Sequence, residues 1–498
     1  MVRRPQRQAL ILGLLAALSV ALAAGSAAGP AAEQPVVSRQ QARIAGRSLA
    51  YTAEIGRIAI RDVATGGPQG FMGYVAYRVA AKGQPRPVMF IWNGGPGANS
   101  SLLHFSTAGP RRVDGASLVD NEDSWLSSAD LVFVDPVGTG FSRPAKPEYA
   151  QQFYGTRGDV ASVTEFVGAW LLAHDADDAP VYLVGESWGA GRAANVSHAL
   201  LKRGRRVDGI VLISGGWSLN TQYAAPALLD AMGVVDMATA ALHHGRTAPE
   251  LGSDPVSLRR AADAWVREVY APALARVAEL TEPERDAVVA GLARFTGLAP
   301  SRIDRKTLRI SPRQFRTELL ADQGKAAYVF DLRRTAPPEE TGKAAMLRYL
   351  RRDLGYRPDL PYLGLEPATE GYAASGIYPE GPGAHWDYAT ADVSPEERRA
   401  AMAAAMASGS GPPKLGPPLP GTVEALGLNP RLKVLVAAGL YDSFLACASG
   451  AEIERQLPPA LRQSIRFKCY AGGHAMYLDA PARAELARDM REFVSARP

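Results

Sequence analysis

From residue 73 onward the chain alternates short apolar runs with longer stretches of mixed periodicity. "GYVAYRV" (Gly73–Val79) and "PVMFIWNGG" (Pro87–Gly95) read as strands, the second closing on glycines. "ADLVFVDPVG" (Ala129–Gly138) is apolar without alternation and stops at Pro and Gly, the pattern of a strand covered on both faces. "GDVASVTEFVGAWLLAH" carries a helical period and leads into the strand "VYLVG". A helix from about Trp188 to Arg203 follows, then another buried strand, "VDGIVLISGG" (Val207–Gly216). Buried strands taken in turn with helices predict an α/β fold with a mostly parallel central sheet flanked by helices.

The rhythm breaks after Gly216. Ala-, Arg- and Glu-rich helical stretches such as "DAVVAGLARF" and "PEERRAAMAAAMA" are joined by Pro/Gly-rich segments, of which "GSGPPKLGPPLPG" is the clearest extended one. Alternation resumes with the strands "LKVLVAAG" (Leu432–Gly439) and "IRFKCYAGG" (Ile465–Gly473) and an amphipathic helix from about Ala480. The pattern therefore divides the chain into a core part over 29–216, a large, mainly helical insertion over 217–428, and the rest of the core over 429–498. No internal repeat is visible.

Ahead of the core, "MVRRPQRQALILGLLAALSVALAAGSAAG" has a basic start, an apolar run from Ala9 to about Ala24, and then small residues. That is the layout of a secretory signal peptide over 1–28, with cleavage after Ala23 or Ala28. The competing reading is an uncleaved anchor, against which the run is short. An exported chain, secreted or periplasmic, is the expectation. Composition changes this picture little: 47% hydrophobic and 21% charged residues describe a globular protein. The formal net charge of +5 includes Arg3, Arg4 and Arg7 of the leader. The remainder, about +2, is too small to draw a nucleic-acid partner. The two cysteines, Cys447 and Cys469, lack the closely paired Cys or His of a metal site. They either bridge, as an oxidising compartment favours, or stay as two buried thiols.

In open α/β sheets functional groups gather at the carboxyl ends of strands. Three expected strand ends carry chemistry. Gly185-Glu186-Ser187-Trp188-Gly189 has the G-x-S-x-G spacing between a strand and a helix; Asp442 follows "LVAAGLY"; His474 follows "FKCYAGG". Ser, Asp and His in that order form the α/β-hydrolase triad. A serine hydroxyl needs a base to act as nucleophile at neutral pH, which His474 would supply. Asp442 would hold the imidazole tautomer and stabilise the imidazolium. Asp135, ahead of the serine, reads as a turn or hydrogen-bonding residue, and His104, His174, His198, His243, His244 and His385 as packing or surface residues. The N–H of Trp188 would supply one oxyanion donor. The loop "WNGGPGANSS" (Trp92–Ser101), where Gly94 and Gly95 permit close backbone approach, would supply the second.

The segments "WNGGPGANSS", "DSWLSSADLVFVDPVGTGFS", "GESWGAG", "GLYDSF" and "GGHAMY" resemble the serine carboxypeptidase family, in that family's order and with an insertion ahead of the Asp strand. The resemblance runs from about Gly73 to the C-terminus and is loose within the insertion. It implies an α/β-hydrolase fold, release of single residues from peptide C-termini, no metal and no cofactor, and a peptide substrate with a free C-terminus. It assigns Ser187, Asp442 and His474 to the triad, the N–H groups of Gly95 and Trp188 to the oxyanion hole, and Asn93, Gly94 and Glu186 to the substrate's terminal carboxylate. A carboxyl beside a carboxylate must share a proton with it, so binding should weaken as pH rises. The sequence departs from the family at three positions. Thr107 stands where members carry a second glutamate, Ala98 where they carry a disulfide cysteine, and Trp188 where they place tyrosine. Losing the second carboxyl should flatten the acid preference.

The rivals are an esterase or acyltransferase on the same scaffold, and a non-catalytic binding protein using it. The insertion should wall the pocket. Trp217, Tyr223, Tyr372 and Tyr378 are candidates to line it, with core packing the alternative.

Overall fold

The computed structural model describes residues 34–81, 83–215, 219, 225–367, 381–408, 413, 415–444 and 446–496. The leader over 1–28, Trp217, Tyr223, Tyr372, Tyr378 and part of "GSGPPKLGPPLPG" lie outside the described residues.

The chain opens with a hairpin, β1 (Val36–Ile44) and β2 (Arg47–Arg61), paired antiparallel. Burial alternates residue by residue along β1, the period of a strand with one wet face. The connecting pair Ala45–Gly46 has positive φ at both residues, 49° and 75°, as a two-residue hairpin turn requires. β3 (Pro68–Arg78), β4 (Val88–Trp92), the small hairpin β5 (Arg111–Asp114) and β6 (Ser117–Asp120), β7 (Asp130–Asp135), β8 (Arg143–Pro144), β9 (Val181–Glu186) and β10 (Gly209–Ile213) follow. β11 (Lys433–Gly439) and β12 (Ile465–Tyr470) close the set.

Among the described residues these strands, apart from β5 and β6, form a ten-stranded sheet in the order β1-β2-β3-β7-β4-β9-β10-β11-β12, with β8 paired to β3. The stretch from β7 to β12 is parallel throughout, and β1, β2 and β3 extend it antiparallel. The fold is a mixed α/β sheet flanked by helices.

Alternate residues of the central strands feed two cores. Met89, Ile91, Leu131, Phe133, Val184, Val211 and Leu435 pack with Leu486 and Met490 of the helix Ala480–Ser495. Phe90, Trp92, Val132, Leu183, Leu212 and Val436 face the helices Thr156–Ala173 and Trp188–Lys202 on the other side. Cover on both faces is why these strands read as unbroken apolar runs.

Between β10 and β11 the chain is mainly helical. The helices Pro226–His243, Pro255–Trp265 and Glu282–Thr296 share a third core containing Val235, Leu258, Leu292 and Phe295. Their ends are locally encoded. Asp254 accepts the Ser257 N–H, Thr281 and Glu284 form a capping box, and Gly297 closes its helix in the left-handed conformation. Two pieces of the same stretch belong to the sheet's own cores. The helix Thr422–Leu428 adds Ala425 and Leu426 to one face, and Tyr349, Leu350 and Tyr362 join the other. No helix among the described residues is long and apolar enough to cross a membrane.

Cys447, on the helix Ala446–Gln456, is bonded to Cys469 of β12. The bridge ties the segment after Asp442 to the strand that delivers His474. Closing a loop of 22 residues should stabilise the fold by about 3 kcal/mol. Reduction, or Cys447→Ser with Cys469→Ser, should therefore move the denaturant midpoint down. Superimposable unfolding curves for the oxidised and reduced chain would contradict this.

Candidate active site

β4, β9, β10, β11 and β12 run side by side and parallel, so their carboxyl ends share one edge. β9 ends at Glu186, and Ser187 turns the chain sharply with φ 55° and ψ −125° before the helix starts at Trp188. Holding a serine there costs on the order of 1–3 kcal/mol. The Ser187 N–H donates to Ile213 O at 2.8 Å and its carbonyl accepts the Ala190 N–H at 2.9 Å. The flanking glycines are sterically required: a Cβ on Gly185 would lie 1.8 Å from Gly189 O, and one on Gly189 would lie 2.7 Å from Asn93 O. A strained serine between two glycines at a strand-to-helix junction has the geometry of a nucleophile elbow.

Asp442 is fully buried after β11, and its Oδ1 accepts the Phe444 N–H at 3.1 Å. Its Oδ2 meets His474 Nδ1 at 2.7 Å. The His474 backbone is pinned on both sides, its N–H donating to Phe330 O at 2.6 Å and its carbonyl accepting from Ser214 Oγ at 2.5 Å. Nε2 is buried and has no hydrogen-bond partner among the described residues, the Ser187 hydroxyl included. The Asp442–His474 half of the expected triad is thus closed and the serine half is open. Catalytic hydrogen bonds commonly tighten only with substrate in place. Burial works against the imidazolium, but the charge and hydrogen bond of Asp442, joined by Glu186, carry the His474 pKa above its ordinary value.

The glycine loop lies directly against the elbow: a Cβ on Gly94 would fall 2.6 Å from both Glu186 O and Trp188 N. Arg192, on the elbow helix, locks this approach. Its Nη1 donates to Asn93 O at 2.9 Å and its Nε to buried Asp159 at 2.6 Å. Gly95 adopts φ 106° ahead of a cis peptide bond to Pro96. Asn93 Oδ1 accepts the Leu103 N–H at 3.0 Å, which turns its Nδ2 towards Glu186 Oε2, to which it donates. The Glu186 carboxyl is buried, and burial pushes it above the usual carboxylate range against the pull of His474, Tyr477 and Asn93. Its Oε1 has no partner among the described residues.

Ser187, Trp188, Glu186, Asn93, Gly94 and Gly95 therefore meet at one rim, and Asp442 pairs with His474. Thr107 is also fully buried, with its Oγ1 unpartnered among the described residues. Asp135 serves its loop, accepting the Ser100 N–H and hydroxyl at 2.8 Å each. His104 and His174 are taken up by Tyr77 and Glu54.

Several neighbours of the site escape sequence reasoning. Tyr477 donates to Glu186 Oε2 at 2.8 Å. Phe330 and Phe444, 43% and 52% exposed, flank the His474 ring with centroids 5.2 Å away on each. Trp386 and Tyr388 stack edge-on against Trp188. Arg333 pairs with Asp331 and Asp479 and sits over the Tyr441 ring, holding the segment that bonds the His474 N–H against the loops that follow β11 and β12. Only Tyr477 had a local signal, its place in the turn after His474. The others come from the stretch between β10 and β11 or depend on loop conformation.

No group of three or more His, Cys, Asp or Glu side chains suited to a metal occurs among the described residues. Residues 69–225 match the family model described as serine carboxypeptidase. A pheromone-processing carboxypeptidase KEX1 of Arthroderma otae is 35% identical over 146 residues, which is 27% of this chain and 22% of that protein. Serine carboxypeptidase-like 36 of Arabidopsis thaliana is 31% identical over 172 residues, 32% of this chain and 34% of that protein. The chain thus matches only a minor part of these relatives' length. Among solved structures it aligns with a prohormone-processing carboxypeptidase from Saccharomyces cerevisiae, at TM-score 0.46 and 12% identity over 89% of this chain and 91% of that one. An acetylester hydrolase from Corynebacterium glutamicum aligns at TM-score 0.35 and 12% identity over 91% and 97%. Residues 69–225, which hold the glycine loop and the elbow, are thus the part of the chain that is similar to the serine carboxypeptidase family.

Proposed function

We propose that this protein is a serine-type carboxypeptidase that releases C-terminal amino acids from peptides through an acyl-enzyme on Ser187. The observation that carries the reading is the buried Asp442–His474 pair at 2.7 Å, on the same sheet edge as a serine held at φ 55°. The family match over the elbow and the carboxypeptidase names of its relatives support the same chemistry.

Ser187 Oγ attacks the scissile carbonyl while His474 Nε2 takes its proton. The negative oxygen is met by the N–H groups of Gly95 and Trp188, each worth on the order of 3 kcal/mol of barrier. Collapse breaks the C–N bond, and His474 returns the proton to the leaving amino acid. Water then attacks the ester, again losing its proton to His474, and Ser187 is restored. Asn93, Gly94 and Glu186 hold the terminal carboxylate, which makes the reaction an exopeptidase one. Glu186 can donate to that carboxylate only when protonated. Specificity for a free C-terminus should therefore be greatest at acid pH and fade as pH rises through the Glu186 titration, with burial placing that titration above the usual carboxylate range.

We assign the protein to a secreted or periplasmic location, which the Cys447–Cys469 bond supports. The substrate is a peptide, with no nucleic acid involved.

The reading is tested by product analysis on a mixed peptide pool, with each free peptide paired to its C-terminal amide. Stepwise loss of single C-terminal residues, with the amides spared, is expected. Internal cleavage, or hydrolysis of simple esters alone, would reject it in favour of an endopeptidase or an esterase.

A further inference from the structure

Glu186 Oε2 takes two side-chain donors, the Asn93 amide and the Tyr477 phenol at 2.8 Å. All three side chains are buried. Oε1 of the same carboxyl is buried and unpartnered among the described residues. A buried polar atom without a partner is costly unless a ligand supplies one.

We propose that Tyr477 is a positioning residue for substrate recognition: by donating with Asn93 to Oε2, it fixes the Glu186 proton on Oε1, where it bonds the peptide's terminal carboxylate. The proposal rests on the carboxypeptidase reading. A neutral carboxyl carries its proton on one oxygen, and an oxygen already accepting two donors cannot hold it without facing them proton to proton. Oε1 is then an O–H donor by elimination. Thr107 brings no carboxyl to share that proton. It stands in the turn His104–Ala108, which packs against the Met476–Leu478 turn bearing Tyr477. A phenol is a fitting substitute because it stays protonated across the working range, burial holding Tyr477 well above its ordinary pKa.

The groups that bear on Glu186 are His474 and Tyr477 from one segment, Asn93 from the loop after β4, and Asp442 from the loop after β11. Of these, His474, Tyr477 and Asn93 draw its pKa down and Asp442 lifts it. Removing the phenol therefore lets the carboxyl keep its proton to higher pH while no longer confining that proton to Oε1.

The test is the ratio of kcat/KM for an N-blocked dipeptide with a free C-terminus to that for its C-terminal amide, from about pH 4 to pH 8. Taking the ratio cancels the His474 limb, which both substrates share. In wild type the ratio should fall as Glu186 ionises. In Tyr477→Phe it should be lower at the acid plateau by about threefold to tenfold, mostly through KM, and its fall should move to higher pH. A lowered ratio whose fall stays in place, or moves down, overturns the proposal and leaves Tyr477 a packing residue.

Glu186→Gln provides a second, independent reading. With two donors at the Oε2 position, the glutamine oxygen should turn to them and its NH2 should occupy the Oε1 position as a permanent donor. The variant should keep its preference for the free C-terminus and lose its pH dependence. Loss of the preference overturns the proposal. A wild-type enzyme with no preference at any pH sinks the carboxypeptidase reading itself, whereas a normal wild-type profile with an unmoved Tyr477→Phe profile sinks only the role of Tyr477.

Discussion

Ser187→Ala should abolish peptide turnover, lowering kcat on the order of a million-fold, without unfolding the protein. Chemically the change removes only the atom that attacks. Structurally it leaves both Ser187 backbone hydrogen bonds, to Ile213 O and from the Ala190 N–H, untouched. No side-chain cap bond of Ser187 exists to be lost at the helix Trp188–Lys202. Alanine does keep the unfavourable φ of 55°, so stability should stay near wild type rather than improve. Residual turnover should reflect the oxyanion donors and substrate positioning alone. The measurements are single-turnover kinetics and thermal unfolding of the same preparation. Activity within tenfold of wild type would reject Ser187 as nucleophile.

Asp442→Asn should lower kcat by about four orders of magnitude with the fold intact. The geometry dictates how the amide sits. Oδ1 accepts the Phe444 N–H, so the asparagine oxygen stays there and its NH2 takes the place of Oδ2, facing His474 Nδ1. Nδ1 must then accept, which moves the ring proton to Nε2, the atom that has to take the serine proton. The wrong tautomer blocks general base catalysis while preserving packing. Asp442 also draws the His474 pKa up, so its removal should shift the acid limb of any residual activity to lower pH. The pH–rate profile of the variant checks both points. A loss of less than tenfold, or an unmoved acid limb, would show that Asp442 is not the partner of the imidazole.

The parallel strands β4, β7, β9, β10 and β11 are legible in the sequence because cover on both faces leaves them almost wholly apolar, whereas β12 carries Arg466 and Lys468 and is marked mainly by the glycines that follow it. The opening hairpin is not. β1 places Ser38, Arg39, Gln40 and Gln41 in succession and alternates burial with residues of low hydrophobicity. Its turn uses Ala45 where an Asn or Gly would have announced it. The elbow and the histidine and aspartate strand ends are legible because each is a local strand–turn motif. The bond between Tyr477 and Glu186 joins residues 291 positions apart, and nothing in either segment announces it. Phe330 reaches His474 from the helical stretch between β10 and β11 for the same reason: that stretch carries packing periodicity, but no signal for where its loops dock. Within the insertion, "DAVVAGLARF" and "PEERRAAMAAAMA" read as helical, and they lie in the helices Glu282–Thr296 and Pro395–Ser408. The return of Thr422–Leu428 to the sheet's core depends on Ala425 and Leu426, two residues equally at home in either core.

The open gap between His474 Nε2 and the serine makes covalent labelling the most direct trial of the central claim. The protein should be treated with an organophosphonate and the modified peptide mapped, in wild type and in His474→Ala. Stoichiometric modification at Ser187 in wild type, slowed by orders of magnitude without the imidazole, is the expected result. Labelling at another residue, or equal rates with and without His474, would contradict it.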